Sequence, residues 1–271
     1  MAERSSDANP QDLSNTLWAV AKLDSNPDAS TVSRLAAAMA ERSSDAAPQA
    51  LSNTLWAVAK LDSNLDARTV NKLAAALAEC SNGASPQNLS NTLWAVAKLD
   101  SSPDASITSK LAAAVAERSR DANPQNLANT LWALSQPKLR WYDADQIPVL
   151  VAALAQHTRS PEATTQCFSN ALQALGSLRC YNAALYSQLV KCVVHKISTS
   201  ASYEAGQHFS NTMFNYALSC HFDSSVDALA EWGSQQSLHL WTEQHVSNTL
   251  CMGHLVSHSR GWHCQHAQAY P

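Results

Sequence analysis

The sequence predicts an all-α fold, an α-solenoid of about seven tandem helical hairpins built on a 38-residue repeat. The strings PQDLSNTLWAVAKL, PQALSNTLWAVAKL and PQNLSNTLWAVAKL begin at Pro10, Pro48 and Pro86, and weaker copies follow. Each copy holds two stretches with apolar residues at a helical period, separated by turn signals. Because one hairpin cannot bury both of its apolar sides, we expect the copies to stack on their neighbours.

Helix A, the first helix of each hairpin, is predicted to begin at a proline that follows a capping residue. The pairs are Asn9–Pro10, Ser85–Pro86 and Asn123–Pro124. Leu13, Leu17 and Val20 fall on one side of a 3.6-residue period, so we expect them to face helix B.

Helix B is predicted to begin in the same way after a second turn. The pairs are Asn26–Pro27 and Ser102–Pro103. Its apolar side carries Val32, Leu35 and Met39, and a run of alanines lets a neighbouring helix approach closely. The unit is an antiparallel hairpin, and stacked hairpins form a long concave groove.

Similarity between the copies divides the chain into three parts. Residues 1–135 hold regular repeats, copies 1 to 4, starting inside a preceding repeat, and residues 136–256 hold diverged copies 4 to 7. Residues 257–271 are predicted to be a disordered or truncated tail. The segment 1–4 aligns with residues 39–42 at the end of helix B, so we expect this sequence to be a fragment without its N-terminal part and targeting peptide.

Composition excludes several classes of protein. The chain has 271 residues, 45% hydrophobic and 15% charged, with no apolar run long enough to span a membrane. Because the net charge is −4, any nucleic acid would have to bind at a local patch of positive charge.

Seven cysteines without a CxxC pair indicate reduced thiols. Hydrolase, kinase and dehydrogenase signatures are missing, so we expect no enzyme and no cofactor. His254 and His258 have a zinc-like spacing but no complete ligand set, so no metal is predicted.

The predicted polar face of helix A is the candidate groove lining. Gln11, Asn15, Ala19 and Lys22 lie opposite the apolar side, with Trp18 at the flank. One lysine per repeat suits regular contacts to a phosphate backbone, and the alternative is a solvated lysine that favours the helix dipole. The lysine row comprises Lys22, Lys60 and Lys98, and Gln136 takes the next position.

An asparagine recurs in all seven copies. Invariance between diverged copies favours a structural role, through a hydrogen bond to the adjacent repeat, and the alternative is contact with a bound ligand. The candidate groove residues are Asn15, Asn53, Asn91 and Asn129.

Two further positions are candidates for RNA contact. Tryptophans can stack on bases, although packing between repeats is the favoured interpretation. These residues are Trp18, Trp56, Trp94 and Trp132.

One position in the first turn of helix A varies among otherwise similar copies and could select bases, or it could tolerate any polar residue. It is occupied by Asp12, Ala50, Asn88 and Asn126.

The string PQxLSNTLWAVAKL at this interval resembles the octotricopeptide repeat family of green algae and other plastid-bearing protists. The resemblance is strong over residues 1–135 and looser over residues 136–256. The chain is also similar to the repeat region of a chloroplast translation factor of that family. Tetratricopeptide and pentatricopeptide units have other lengths and signatures.

The resemblance implies a chloroplast or mitochondrial factor that binds organellar transcripts and controls their stability, processing or translation. We therefore expect sequence-selective binding of single-stranded RNA through the helix A groove, with no small-molecule substrate. The alternative is a protein-binding scaffold without RNA affinity, since an acidic groove would prefer a basic partner. A third interpretation is a degenerate fragment that does nothing alone.

Overall fold

The computed structural model describes residues 8–23, 27–139, 143, 145–180, 182–199 and 212. Within these ranges the chain forms ten α-helices and no β-strand, which confirms the all-α prediction. The helices are α1 (Pro10–Lys22), α2 (Ala29–Glu41), α3 (Pro48–Lys60), α4 (Ala67–Glu79), α5 (Pro86–Lys98), α6 (Ala105–Glu117), α7 (Pro124–Ser135), α8 (Gln146–Gln156), α9 (Thr165–Ser177) and α10 (Ala183–Thr199).

The helices alternate between the two predicted types, with odd-numbered A helices and even-numbered B helices. The chain divides into two compact units, Met1–Ala153 and Leu154–Pro271. In the first unit α1, α3, α5 and α7 pack one on the next, and they form what we call the A layer. The B helices of this unit contact one another less. In the second unit α9 packs on α10. This serial packing confirms the predicted solenoid.

Several predictions concern residues outside the described ranges. These are the sixth and seventh repeats, the tail at residues 257–271, and the pair His254 and His258. The division near residue 135 into regular and diverged copies stays a prediction. Among the described helices, none has both the length and the apolar character needed to cross a membrane.

Leucines form the core of the A layer. Leu13 and Leu17 are buried as predicted, and so are their equivalents in the following A helices. Val20 and Leu35 were expected to face inward but are half-buried. For Val20 the reason is that α1 packs against only one other A helix, α3, within the described residues.

Alanine sets how closely the A helices approach. Ala57, Ala95 and Ala133 are completely buried. Their equivalent in α1, Ala19, is exposed on the face that no described A helix covers. Ala19 is accessible as predicted, whereas in the internal helices this position is buried and does not belong to the polar face.

The A helices begin where the sequence predicts. Asn9 Oδ1 accepts the N–H of Asp12 at 2.9 Å, and Pro10 occupies the first turn. The predicted start of the B helices was wrong by two residues, since α2 begins at Ala29 with Asp28 as its N-cap. Asp28 Oδ2 accepts the N–H of Thr31 at 3.2 Å, so the aspartate caps the helix and the proline stays in the turn before it.

We expect Asp66→Ala to lower the free energy of unfolding by about 1 kcal/mol near neutral pH, because it removes the N-cap of α4. Asp66 Oδ2 accepts the hydroxyl of Thr69 at 2.7 Å, and Oδ1 accepts its backbone N–H at 2.9 Å. These bonds, the hydroxyl first, hold the pKa of Asp66 below its usual 3.8. The stabilisation is complete above that usual pKa and is lost as the pH falls through the lowered, folded-state pKa.

Urea unfolding followed by circular dichroism, at neutral pH and in acid, measures this loss. Asp104→Ala is the matched control, because Asp104 precedes α6 in the same way but its side chain makes no cap hydrogen bond. Equal losses in the two variants, or a loss at Asp66 that does not shrink in acid, would contradict the assignment.

Candidate nucleic-acid interface

The A helices share an accessible row of side chains, polar and in α1, α3, α5 and α7 also aromatic, which we call the polar stripe. In α3 the accessible residues after Pro48 are Gln49, Asn53, Trp56 and Lys60, and the rest of the helix is buried. Residues spaced by four, three and four positions share one side of a helix. The accessible surface of α3 is therefore the face that the repeat pattern predicts.

The stripe recurs on the other A helices. In α1 all four members are exposed, and in α5 and α7 the glutamine is exposed while the asparagine and tryptophan are half-buried. The members are Gln11, Asn15, Trp18 and Lys22 in α1, Gln87, Asn91, Trp94 and Lys98 in α5, Gln125, Asn129 and Trp132 in α7, and Gln166, Asn170 and Gln173 in α9.

The stripe asparagine has a partner in its own helix. Gln11 Nε2 donates to Asn15 Oδ1 at 2.9 Å, and Gln125 Nε2 donates to Asn129 Oδ1 at 2.7 Å. Asparagine is unfavourable inside a helix unless its side chain is compensated. The compensation in α1 and α7 comes from the glutamine one turn earlier. Since Oδ1 of Asn15 and of Asn129 accepts from glutamine, the NH2 group is the part of these two side chains that suits an acceptor on a ligand.

Lysine and tryptophan side chains connect the stripes of adjacent helices. Lys22 Nζ lies 5.5 Å from the ring centroid of Trp18 and 5.2 Å from that of Trp56 in the next A helix. Both distances are within the cation–π range. Trp18 is 42% exposed and Trp56 is half-buried, so both rings keep accessible surface.

An aspartate in the left-handed conformation follows α3 and α5. Asp62 and Asp100 have φ values of 50° and 53°. After α3, the N–H of Ser63 returns to the carbonyl of Val58 at 3.2 Å, which closes a Schellman motif. Glycine is common at this position, and aspartate instead adds a carboxylate at the end of the stripe. Lys98 Nζ lies 3.9 Å from Asp62 Oδ1.

Lys138 is a cation that alignment of the repeats did not identify. Its Nζ lies 2.7 Å from Asp100 Oδ2 and donates to the Asp100 carbonyl at 2.9 Å. Gln136 holds the aligned lysine position, but α7 ends at Ser135 and Gln136 Nε2 donates to the Trp132 carbonyl at 3.0 Å. The signal was present in the sequence, because LWALSQPKL matches LWAVAKL once two residues are treated as an insertion.

The predicted base-selecting position is only partly accessible. Asp12 is exposed and Asn88 is half-buried, whereas Ala50 and Asn126 are 1% and 7% exposed. The structure therefore does not bring Ala50 and Asn126 into the accessible polar stripe. Base selection at this position stays a prediction, and Asp12 and Asn88 are the members that a ligand can reach.

The B helices carry acidic residues in ion pairs. Lys72 Nζ lies 2.9 Å from Glu41 Oε1, and Lys110 Nζ lies 2.7 Å from Glu79 Oε1. The hydrogen bond from Lys72 lowers the pKa of Glu41. The polar stripes of the described A helices hold no aspartate or glutamate. The stripes thus offer amide donors and one lysine per repeat in α1, α3 and α5, with exposed carboxylates nearby at Asp12, Asp62 and Asp100.

The remaining reactive groups do not form a site in the part of the chain that the structure describes. Cys80 and Cys192 are free thiols. Burial raises the pKa of Cys80 and Cys192, which disfavours the reactive thiolate. No three His, Cys, Asp or Glu side chains come together in a metal-binding group there.

Comparison with known proteins places the repeats in a family. A family model described as Tbc2 translation factor, N-terminal domain, matches residues 58–199, just over half of the chain. No curated protein matches the chain. The matched segment contains Lys98 and Lys138 with the aspartates that contact them. The chain therefore belongs to the family of the Tbc2 translation factor N-terminal domain.

Proposed function

We propose that this chain binds single-stranded RNA across the polar stripes of the A layer and acts as a non-enzymatic regulator of organellar RNA stability, processing or translation. The description of its family as a translation factor supports the regulatory role. The resemblance to octotricopeptide repeats supports a plastid or mitochondrial location. The observation that carries the proposal is the recurrence of one accessible amide, aromatic ring and cation on successive, directly packed helices.

The spacing of the stripes suits an extended strand. Lys22 of one helix reaches Trp56 of the next, so neighbouring stripes are within side-chain contact. Packed helices stand about 8–10 Å apart, and some helical-repeat RNA-binding proteins read one base per repeat. A strand that crosses α1, α3 and α5 would meet the same set of groups at each of these three helices.

Each residue type has a distinct role in this proposal. The lysines Lys22, Lys60 and Lys98 contact phosphates, which gives affinity without base selection. The asparagine NH2 groups donate to ribose oxygens or base edges, and the accessible part of each tryptophan stacks on a base. Asp12 and Asn88 adjust the preference for particular bases.

We expect the triple variant Lys22→Gln, Lys60→Gln, Lys98→Gln to lose RNA affinity and to lower the salt slope by about 2. Each phosphate contact to a single strand contributes about 0.7 to the slope of log affinity against log salt. Fluorescence anisotropy with labelled random-sequence single-stranded RNA, titrated at several salt concentrations, measures both quantities.

The B helices provide a matched control. Arg34, Lys72 and Lys110 occupy one position in three successive repeats, so their triple substitution by Gln removes the same charge from the other layer. We expect this control to leave the slope nearly unchanged. A wild-type protein that ignores RNA at low salt but retains a protein partner would support a scaffold instead, and an equal slope change in the control would contradict binding by the A layer.

A further inference from the structure

We infer that Lys138 is a fourth phosphate-binding cation of the A layer and that Asp100, rather than the helical register, positions it. The inference rests on the proposed RNA binding and extends it to a residue outside the repeated stripe. It predicts one more phosphate contact than the aligned lysines Lys22, Lys60 and Lys98 provide.

Two aspartates, Asp62 and Asp100, occupy equivalent positions in successive repeats. Asp62 and Asp100 stand 38 residues apart, each directly after the C-cap residue of its helix, α3 or α5, and both adopt the left-handed conformation. Each is contacted by a lysine of the next repeat, Asp62 by Lys98 and Asp100 by Lys138. Relative to the preceding A helix, the Lys138 ammonium thus takes the place of the Lys98 ammonium.

The turn after α7 explains how a residue out of register reaches that place. Pro137 cannot supply a helical N–H, and the helix ends at Ser135, so the chain leaves the helical path before the next residue of the stripe. The N–H of Leu139 bonds to the carbonyl of Gln136 at 3.1 Å, and Leu139 is 6% exposed. A hydrogen-bonded turn with a buried anchor therefore holds Lys138 against Asp100.

Lys138 can still bind a phosphate group while it is paired with Asp100. The side chains of Lys98 and Lys138 are equally accessible, at 48% each. Exposed ion pairs contribute little to stability, so a phosphate can compete with Asp100 for the ammonium group. The ammonium also has three donors, more than the two contacts to Asp100 use.

We expect Lys138→Gln to lower the salt slope of RNA binding by about 0.7, the same change as Lys98→Gln. Lys110→Gln is the matched control, because Lys110 pairs with Glu79 at the same 2.7 Å but lies on a B helix. We expect no change in slope from this control. The probe is labelled random-sequence single-stranded RNA in a salt-series anisotropy titration.

A second measurement uses the wild-type protein, without any substitution. Lysine acetylation with and without RNA, read by mass spectrometry, should show protection of Lys98 and Lys138 but not of Lys110. If Lys98 is protected and its substitution lowers the slope, while Lys138 gives neither result, the inference about Lys138 is wrong and the proposed function stands. If wild-type protein binds no RNA and no lysine is protected, the proposed function fails and the inference fails with it.

Discussion

Leu93→Ala is expected to lower the free energy of unfolding by about 3 kcal/mol, as truncation of a fully buried leucine does in other proteins. Leu93 is 1% exposed and lies in α5, which packs against both α3 and α7. The substitution removes buried methyl groups and leaves a cavity that helices packed on both sides cannot fill. Urea unfolding monitored by circular dichroism gives the loss directly.

Leu23→Ala is the control for this substitution. Leu23 is 77% exposed after α1, so the same chemical change there should cost less than about 0.5 kcal/mol. Because stacked repeats are held only by their neighbours, the cavity at Leu93 should also make unfolding less cooperative. A loss at Leu93 no larger than the loss at Leu23 would contradict the packing described for α5.

Arg118→Ala is expected to lower the free energy of unfolding by about 2 kcal/mol, because it removes charged hydrogen bonds between repeats. Arg118 Nη1 donates to the carbonyls of Ser81 and Ala84 at 2.8 and 3.1 Å, and Nη2 donates to that of Asn82 at 2.6 Å. The guanidinium group thus joins the end of α6 to the turn between α4 and α5. Thermal and urea unfolding measure the loss.

The chain contains its own comparison for Arg118. Arg42 holds the same position in its repeat as Arg118 and likewise donates to a backbone carbonyl, that of Ala8. The repeat between Arg42 and Arg118 has Cys80 at this position. Cys80→Arg should therefore raise the free energy of unfolding by about 1 kcal/mol. Arg120 is exposed, and Arg120→Ala serves as the charge control. Equal effects at Arg118 and Arg120 would show that the carbonyl contacts contribute nothing.

Much of the fold was predictable because the repeat carries redundant signals. The apolar period, the proline at the start of each A helix and the 38-residue spacing all indicate the same stacked hairpins. The polar stripe was predictable for the same reason, since Gln49, Asn53, Trp56 and Lys60 share one side of any regular helix. In the structure these four side chains are the accessible ones of α3 after Pro48, as their spacing predicts.

Other features depend on which helix covers which face. Helical period alone gave no reason to expect that Ala57 is buried while Trp56 beside it keeps accessible surface. The neighbouring A helix decides this, because small residues let backbones approach and the contact buries them. Ala50 and Asn126 are also buried, although both looked suitable for reading bases when single helices were considered.

The sequence by itself determined the repeat, the order of the helices and the composition of the stripe, because all three follow from regular helical geometry. The sequence shows Lys138 only as a lysine displaced by two inserted residues, and the tertiary structure decided where its ammonium group lies. Its ammonium lies beside Asp100 because a turn after α7 departs from the helical path, and a carboxylate of the preceding repeat attracts it. Helical periodicity predicts where a side chain lies only while the backbone stays helical. Beyond a helix end, the position of a charged group depends on its contacts with other parts of the chain.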